Sequence, residues 1–487
     1  MLPAGEGFHA GFLQARGELF DEGGFIAFWA RHREAKRSEL RANVIERLRA
    51  ASKRTSESLK ELCLELQEAQ ELTQIVPTWI VNGFFCRATK AACQRLAAHE
   101  AVDFVFRQTL FERAPRTTMP MGERQRTKTS ARLDEVRKHE DQVVTREALA
   151  SLQIPWNLAR VGAPEAWKLS SGRGVVIAMI DSGVCDTPCL TRALWRNRGE
   201  EVDGVDNDGN GYVDDVFGWD VANSNGYVIS DDSGHGSMCA SIAAGRPIEG
   251  SAQGVAPNAR LMVLRGGGRL ESYEYALANG ADVVSMSYMW PERRLGNYRA
   301  VYRLAHEHLC AAGIVAVGGA GNFARTAPVG EQIALPKDIP CVLAVAGILE
   351  GGKLSPQSSR GPVSWAGVRS YESDVKVLKP DVTACFGGFP VWAPRTMRLR
   401  NGWEVLATSG DGQKIVGPRG NSFAGPHVAG IAALMLEVAP ELVAWRIQDA
   451  IRATSRDLGD EGPDVEYGHG LVHAATAVER ARVEAKR

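Results

Sequence analysis

The apolar positions change texture along the chain. Leu40, Val44 and Leu48, then Leu59, Leu62 and Leu66, recur at helical spacing and predict a long charged helix over residues 33–72. Ahead of it, "GFIAFWA" reads as a strand. After it, "TWIVNGFFCRA" reads as a strand or hairpin, "TKAACQRLAAHE" as a short helix and "AVDFVFRQ" as a further strand. This β-α-β-α-β order predicts a small α+β domain over residues 1–111. Residues 112–150 turn basic and polar, with Arg113, Arg116, Arg124, Arg126, Lys128 and Arg132, and are expected to form a solvated linker. From about residue 152 the runs "GVVIAMID", "ARLMVLR", "ADVVSMS", "GIVAVGG" and "CVLAVAG" are nearly continuously apolar, as strands buried on both faces are. Helical stretches such as "HGSMCASIAAG", "SYEYALANG" and "RAVYRLAHEHLCAAG" alternate with them. Residues 151–487 are therefore expected to form an α/β unit, a parallel sheet covered by helices, with ligands bound beyond the carboxyl ends of its strands.

Charge and composition narrow the partners. Lys and Arg number 57 against 58 Asp and Glu in 487 residues, so no global charge favours nucleic acid or a membrane surface. No apolar run approaches the ~20 residues that cross a bilayer. The opening thirty residues lack a basic start followed by an unbroken apolar core, and no secretory signal is read there. Nine cysteines, an odd number scattered over a long chain, do not make a disulfide framework, and a cytoplasmic setting is expected.

The candidate chemistry lies at the ends of the apolar runs. In "GNSFAGPHVAG", Pro426 must sit near the start of the helix that continues as "IAALMLEVA", because proline in a helix interior costs ~3 kcal/mol. Ser422 then falls in the first turn, among unpaired backbone N–H groups and the positive end of the dipole. Asp181 ends the strand "VVIAMID", before a Ser182-Gly183 turn. His235 lies between two glycines at the head of an apolar helix. Serine, histidine and aspartate together have the chemistry of acyl transfer: nucleophile, general base, and a carboxylate that orients and stabilises the imidazolium.

The order Asp, His, Ser, with Asp-Ser-Gly after a strand, His-Gly opening a helix and "SFAGPHVAG", resembles the subtilisin-like serine proteases. The likeness runs from about Trp156 to Ala477, with supporting pieces "GVAPNARLMVLR", "SSRGP" and "KPDVTA". It implies a serine endopeptidase acting on protein or peptide substrates, with Asn322 of "GGAGN" as a side-chain oxyanion donor. It also implies substrate binding along Gly266, Gly267 and Ser287-Tyr288-Met289, where bulky residues replace the usual Leu-Gly. His427 is expected to be a packed structural histidine. Asn421 stands where the family usually has threonine, and still offers a side-chain donor. Cys185 and Cys189 are expected to be free surface thiols. The loop "DGVDNDGNGYVDD" places Asp206, Asp208 and Asn210 on alternate positions, then Gly211 and Asp214, as a calcium loop does, although Phe217 stands where an EF-hand has glutamate. Residues 1–111 resemble the family's inhibitory propeptides, most visibly in "WIVNGFFCRATKAACQRLAAHEAVDFVF", which implies an intramolecular inhibitor with its last strand, near Val105, in the cleft. Catalysis itself needs no cofactor. The alternative is a protease-like scaffold that binds peptides without cutting them.

Overall fold

The computed structural model describes residues 9–15, 19–20, 23–107, 118–290, 295–393, 404–408 and 414–486. Its centre is a seven-stranded sheet, in the order Val382–Cys385, Val342–Ile348, Val315–Gly319, Val283–Met286, Val176–Asp181, Arg260–Arg265 and Gly218–Asp220. Every neighbouring pair is parallel. The expected α/β unit is thus formed; its five inner strands are the predicted apolar runs, and the edge strands Val382–Cys385 and Gly218–Asp220 add to them. They are buried along nearly their whole length because helices cover the sheet. Ala424–Val438 lies against the central strands Val283–Met286 and Val315–Gly319. A three-stranded antiparallel sheet, Val391–Ala393, Lys414–Gly417 and Glu404–Thr408, flanks this unit.

The N-terminal unit is a four-stranded antiparallel sheet in the order Leu72–Thr78, Gly83–Ala88, His9–Ala15, Val102–Arg107. The strand Gly83–Ala88, the helix Lys90–Ala97 and the last strand stand where the sequence predicts them, while the first strand of the hairpin, Leu72–Thr78, lies ahead of the predicted run. Thr89 caps the helix by accepting from the Ala92 N–H. Two readings are corrected. "GFIAFWA" is not a strand but the start of the helix Gly24–Arg31, whose Phe28 is buried while Phe25 and Trp29 lean on Trp445. The strand that the sheet requires is His9–Ala15. The segment taken for a solvated linker contains the helix Glu123–His139, anchored by Thr129, Leu133 and Val136 and by an Arg132–Asp186 ion pair of 2.8 Å. Its apolar stripe is three residues wide in a strongly charged sequence, too thin to stand out in composition.

The long helix is Arg37–Glu68, and it serves two cores. Leu40, Val44 and Leu48 join the core of the large sheet, together with Leu19, Phe28, Ile80, Val81, Phe85 and Phe106. Leu59, Cys63 and Leu66 instead pack on Leu72, Phe84, Cys86 and Leu96 in a separate cluster. Polar bonds reinforce the docking. Arg37 reaches Asp282 at 2.8 Å, and Glu274 accepts from the Thr78 hydroxyl at 2.7 Å and the Ile80 N–H at 2.8 Å.

Candidate active site

Three carboxyl-edge loops and one helix start converge. Asp181 is the last residue of its strand and is buried. Its Oδ1 receives the Ser182 N–H at 2.7 Å and lies 2.7 Å from His235 Nδ1. Burial alone would raise the Asp181 pKa, but the neighbouring imidazole and the Ser182 bonds hold it below the usual carboxylate value. Burial alone would lower the His235 pKa; the Asp181 charge and hydrogen bond outweigh it and lift the imidazole well above its usual value. His235 opens the helix His235–Ala244 after Gly234 at φ 71°, a left-handed turn that glycine takes without strain.

Ser422 lies in a short 3₁₀ turn, Asn421–Phe423, that runs into the helix Ala424–Val438. Its carbonyl is held by the Ser287 hydroxyl at 2.7 Å and the Cys239 thiol at 3.4 Å. The Ser422 hydroxyl donates to the Ser287 carbonyl at 3.4 Å, and the ring of the next residue, Phe423, sits 5.5 Å from that of His235. The turn can come this close to the sheet because Gly319 has no Cβ; one built there would lie 1.9 Å from the Asn421 carbonyl oxygen.

Asn322 follows the neighbouring strand. Its Oδ1 accepts the Asn421 N–H at 2.8 Å, which fixes the amide plane and leaves Nδ2 facing Gly420. Asn421 in turn donates from Nδ2 to the Gly321 carbonyl at 2.5 Å and to Ser358 Oγ at 2.9 Å. The residue that departs from the family pattern thus braces the loop that carries Asn322. Ser287, Tyr288 and Met289 run on from the strand Val283–Met286. Tyr288 folds over Gly268 and bonds the Tyr273 hydroxyl, while Met289 rests on Gly321. Gly266 and Gly267 leave the strand Arg260–Arg265 at φ 106° and 91°, and the Gly266 N–H is held by the Asp181 carbonyl. His427 is buried, bonded to the Phe423 carbonyl and to Asn157, as a structural histidine would be.

Sequence reasoning missed Asp231. Buried, it accepts from Ser182, Ser233, the Gly234 N–H, the Ser237 N–H and the Ser237 hydroxyl, and so fixes both the Asp181 turn and the start of the His235 helix. Its signal was an acid four residues before the histidine in "DDSGHG". In the acidic loop the structure groups the oxygens differently from an alternating ladder. Asp206 caps the N–H groups of Asn210 and Gly211, and Asp214 Oδ1 caps those of Asp203 and Gly204. The carboxylates brought within 4.8 Å of one another are Glu200, Asp208 and Asp215, with Asn210 bonded to the latter two. Desolvation raises Glu200 to about 7 and Asp215 to about 6. Crowded, partly buried oxygens that resist ionising together fit a hard cation such as calcium. Cys189 is buried rather than exposed, and all nine cysteines are free thiols.

A serine at a helix start, a histidine paired to a buried aspartate and an amide near them, in the chain order Asp, His, Ser, match the site pattern of one class of serine hydrolases. The chain belongs to the subtilase family, whose model matches residues 172–470. Bacillopeptidase F of Bacillus subtilis is 25% identical over 472 residues, 90% of this chain, and this chain spans 28% of its length. Mycosin-1 of Mycobacterium tuberculosis is 27% identical over 66% of this chain and 73% of its own. A protein named calcium-dependent protease, of Nostoc, is 28% identical over 66% of this chain and 49% of its own.

Proposed function

We propose that this chain is a serine endopeptidase made as an autoinhibited precursor. Ser422 Oγ attacks the peptide carbonyl carbon while its proton passes to His235 Nε2, and Asp181 stabilises the imidazolium at Nδ1. The negative charge that develops on the carbonyl oxygen is met by Asn322 Nδ2 and by backbone N–H groups at the start of the Ser422 helix. The C–N bond then breaks, the leaving amine takes the proton from His235, and water hydrolyses the acyl-enzyme by the same steps in reverse roles. The observation that carries this reading is the 2.7 Å His235–Asp181 pair beside the Phe423 ring, with Ser422 in the same turn. Because the base must be neutral, kcat/KM rises with pH through a value above the usual histidine pKa of 6.5, the direction in which Asp181 shifts it. Fluorophosphonate labelling tests the assignment. Wild-type protein that has cut itself and been freed of its N-terminal unit labels at Ser422, while Ser422→Ala neither labels nor cuts. A folded wild-type chain that neither cuts nor labels, with or without that unit, would leave the peptide-binding scaffold standing.

The loop from Glu200 to Asp215 would hold structural calcium through Glu200, Asp208, Asp215 and Asn210. It lies outside the reacting groups and supplies rigidity, not chemistry. The printed name of the Nostoc relative is in keeping with this. Nine free thiols fit a reducing compartment, and among the described residues no helix is long and apolar enough to cross a membrane.

The N-terminal unit is read as the inhibitor, with residues 112–150 as the connector and self-cleavage between Phe111 and Ala150. Its last strand pairs with His9–Ala15 and meets Tyr298 through Phe106 and Arg369 through Asp103. Phe111 and the rest of 108–117 lie outside the described residues. Reading N-termini by mass spectrometry in wild type and Ser422→Ala tests the cut. Wild-type chains end-labelled within 112–150, and intact Ser422→Ala chains, are expected; an intact, fully active wild type would overturn both the cut and the inhibition.

A further inference from the structure

At the sheet edge opposite the Asp181 turn, where the strands Val176–Asp181 and Arg260–Arg265 begin, lies a cavity of about 390 Å³. Bulk water takes roughly 30 Å³ per molecule, so the space holds more than an isolated water. Arg173, Arg196, Arg198, Arg246 and Arg260 line it, and among the described residues the carboxylates on its wall are Glu140 and Asp141. Glu140 is already engaged, by Arg198 at 2.8 Å and Arg196 at 3.5 Å, and Arg260 is drawn to the Arg192 and Glu140 carbonyls.

Arg246 has no such partner. It is 6% exposed, forms no ion pair, and its Nη1 meets no acceptor among the described residues. The charge that acts most on it is the like charge of Arg260, and burial with that repulsion depresses its pKa to about 9. A buried guanidinium without a counter-charge is costly, and a bound anion removes the cost. The planar fork of donors matches tetrahedral oxyanions, and five guanidinium groups facing two carboxylates favour a dianion over a single carboxylate.

We infer that this cavity binds a small oxyanion of the phosphate class, either free phosphate or the phosphoryl group of a small molecule, with Arg246 as its buried anchor. The site is separated from Ser422 by the length of the sheet, so the ligand does not compete with substrate. It acts on the connector instead. Glu140, Asp141, Gln142 and Val143 form one wall, and Val144 is fastened to Asn258 by two bonds of 2.9 Å each. A ligand bridging that wall to Arg246 ties the end of the connector to the catalytic unit.

The test uses full-length Ser422→Ala, which cannot cut itself. Inorganic phosphate and, separately, glycerol phosphate are titrated at constant ionic strength set with sodium chloride, and the melting temperature is read. A saturable rise is expected with at least one of them, and the better of the two identifies the source. Arg246→Met, added to the same chain, keeps the volume without the charge. It should melt no lower than its parent in chloride alone and need roughly tenfold more phosphate for the same rise, the usual weight of one charge-assisted bond. No saturable rise in the parent, or the same response in Arg246→Met, overturns the proposal. Should Arg246→Met fail to fold, Arg198→Gln carries the test, since that side chain is 73% exposed; a weakened phosphate response supports the site and an unchanged one overturns it.

Discussion

Glu274 is the polar keystone between the two units, and replacing it separates two contributions. Its Oε1 accepts from Thr78 and Ile80 of the N-terminal hairpin, and burial raises its pKa from an ordinary 4.5 to about 7 despite those bonds. Glu274→Gln keeps an acceptor oxygen but no longer titrates, whereas Glu274→Ala leaves a buried hydroxyl and a buried N–H without a partner. Each orphaned group costs ~1–3 kcal/mol, so the alanine variant should lose ~2–6 kcal/mol of docking stability at low pH, where the parent carboxyl is protonated. The titrating part has a definite sign. A carboxyl whose pKa is raised by docking takes up a proton on docking, so docking is strongest below pH 4.5 and weakens as pH rises to about 7. The separation of those two values bounds the pH-dependent part at ~3 kcal/mol. Denaturant unfolding of full-length Ser422→Ala, with and without Glu274→Gln, at pH 5 and pH 8 isolates it, because other titrations cancel in the difference. The stability lost by the parent between these pH values should exceed that lost by the glutamine variant by ~1–3 kcal/mol. Parallel pH dependence in the two proteins would refute the reasoning.

Further outcomes follow from neighbouring features. Asn322→Ala should lower kcat on a peptide substrate by ~10²–10³ through loss of the oxyanion donor, and should lower the melting temperature modestly because the Asn421 N–H loses its acceptor. Chelation should lower the melting temperature of the parent but not of Asp215→Asn, because calcium at 100 times its dissociation constant contributes ~2.7 kcal/mol and that variant loses a central ligand. Lys337, buried and with no hydrogen-bond partner for Nζ among the described residues, has its pKa depressed by burial from 10.5 to about 7. The unfolded chain therefore binds the extra proton between pH 7 and 10.5, and stability rises with pH across that window. Lys337→Met should be the more stable protein at pH 7, by up to ~4 kcal/mol, with the gap closing toward pH 10 in denaturant titrations.

Five strands of the large sheet were legible because strands buried on both faces write themselves as unbroken apolar runs, and the carboxyl end that carries Asp181 could be located to the residue. The short edge strands Gly218–Asp220 and Val382–Cys385 left no such run. The pairing of His235 with Asp181 followed from chemistry once their elements were placed. What stayed hidden depends on partners distant in sequence. Asp231 looks like one more acid in a polar loop until the turns it ties together are seen in space. Asp206 and Asp214 sit at ligand-like intervals, yet the loop spends them on its own N–H groups, and Glu200 and Asp215, outside the alternating run, meet Asp208 instead. Gly24–Arg31 misled for a related reason: an apolar stretch of strand length does not reveal its period until Trp445, far along the chain, supplies the surface on which Phe25 and Trp29 lie.

The core that runs from the large sheet into the helix Arg37–Glu68 changes character if the connector is cut. In one chain it is an interior, and its integrity is independent of how dilute the protein is. Between two chains it is an interface, governed by mass action. Dilution then becomes a switch: a concentrated sample stays paired, while a dilute one sheds its first hundred residues. The shed state bears a scar of apolar surface around Trp445 and Tyr298, where Phe25, Trp29 and Phe106 had lain. Such a patch draws the two chains back together, or draws in another apolar surface, as readily as it once closed the single one.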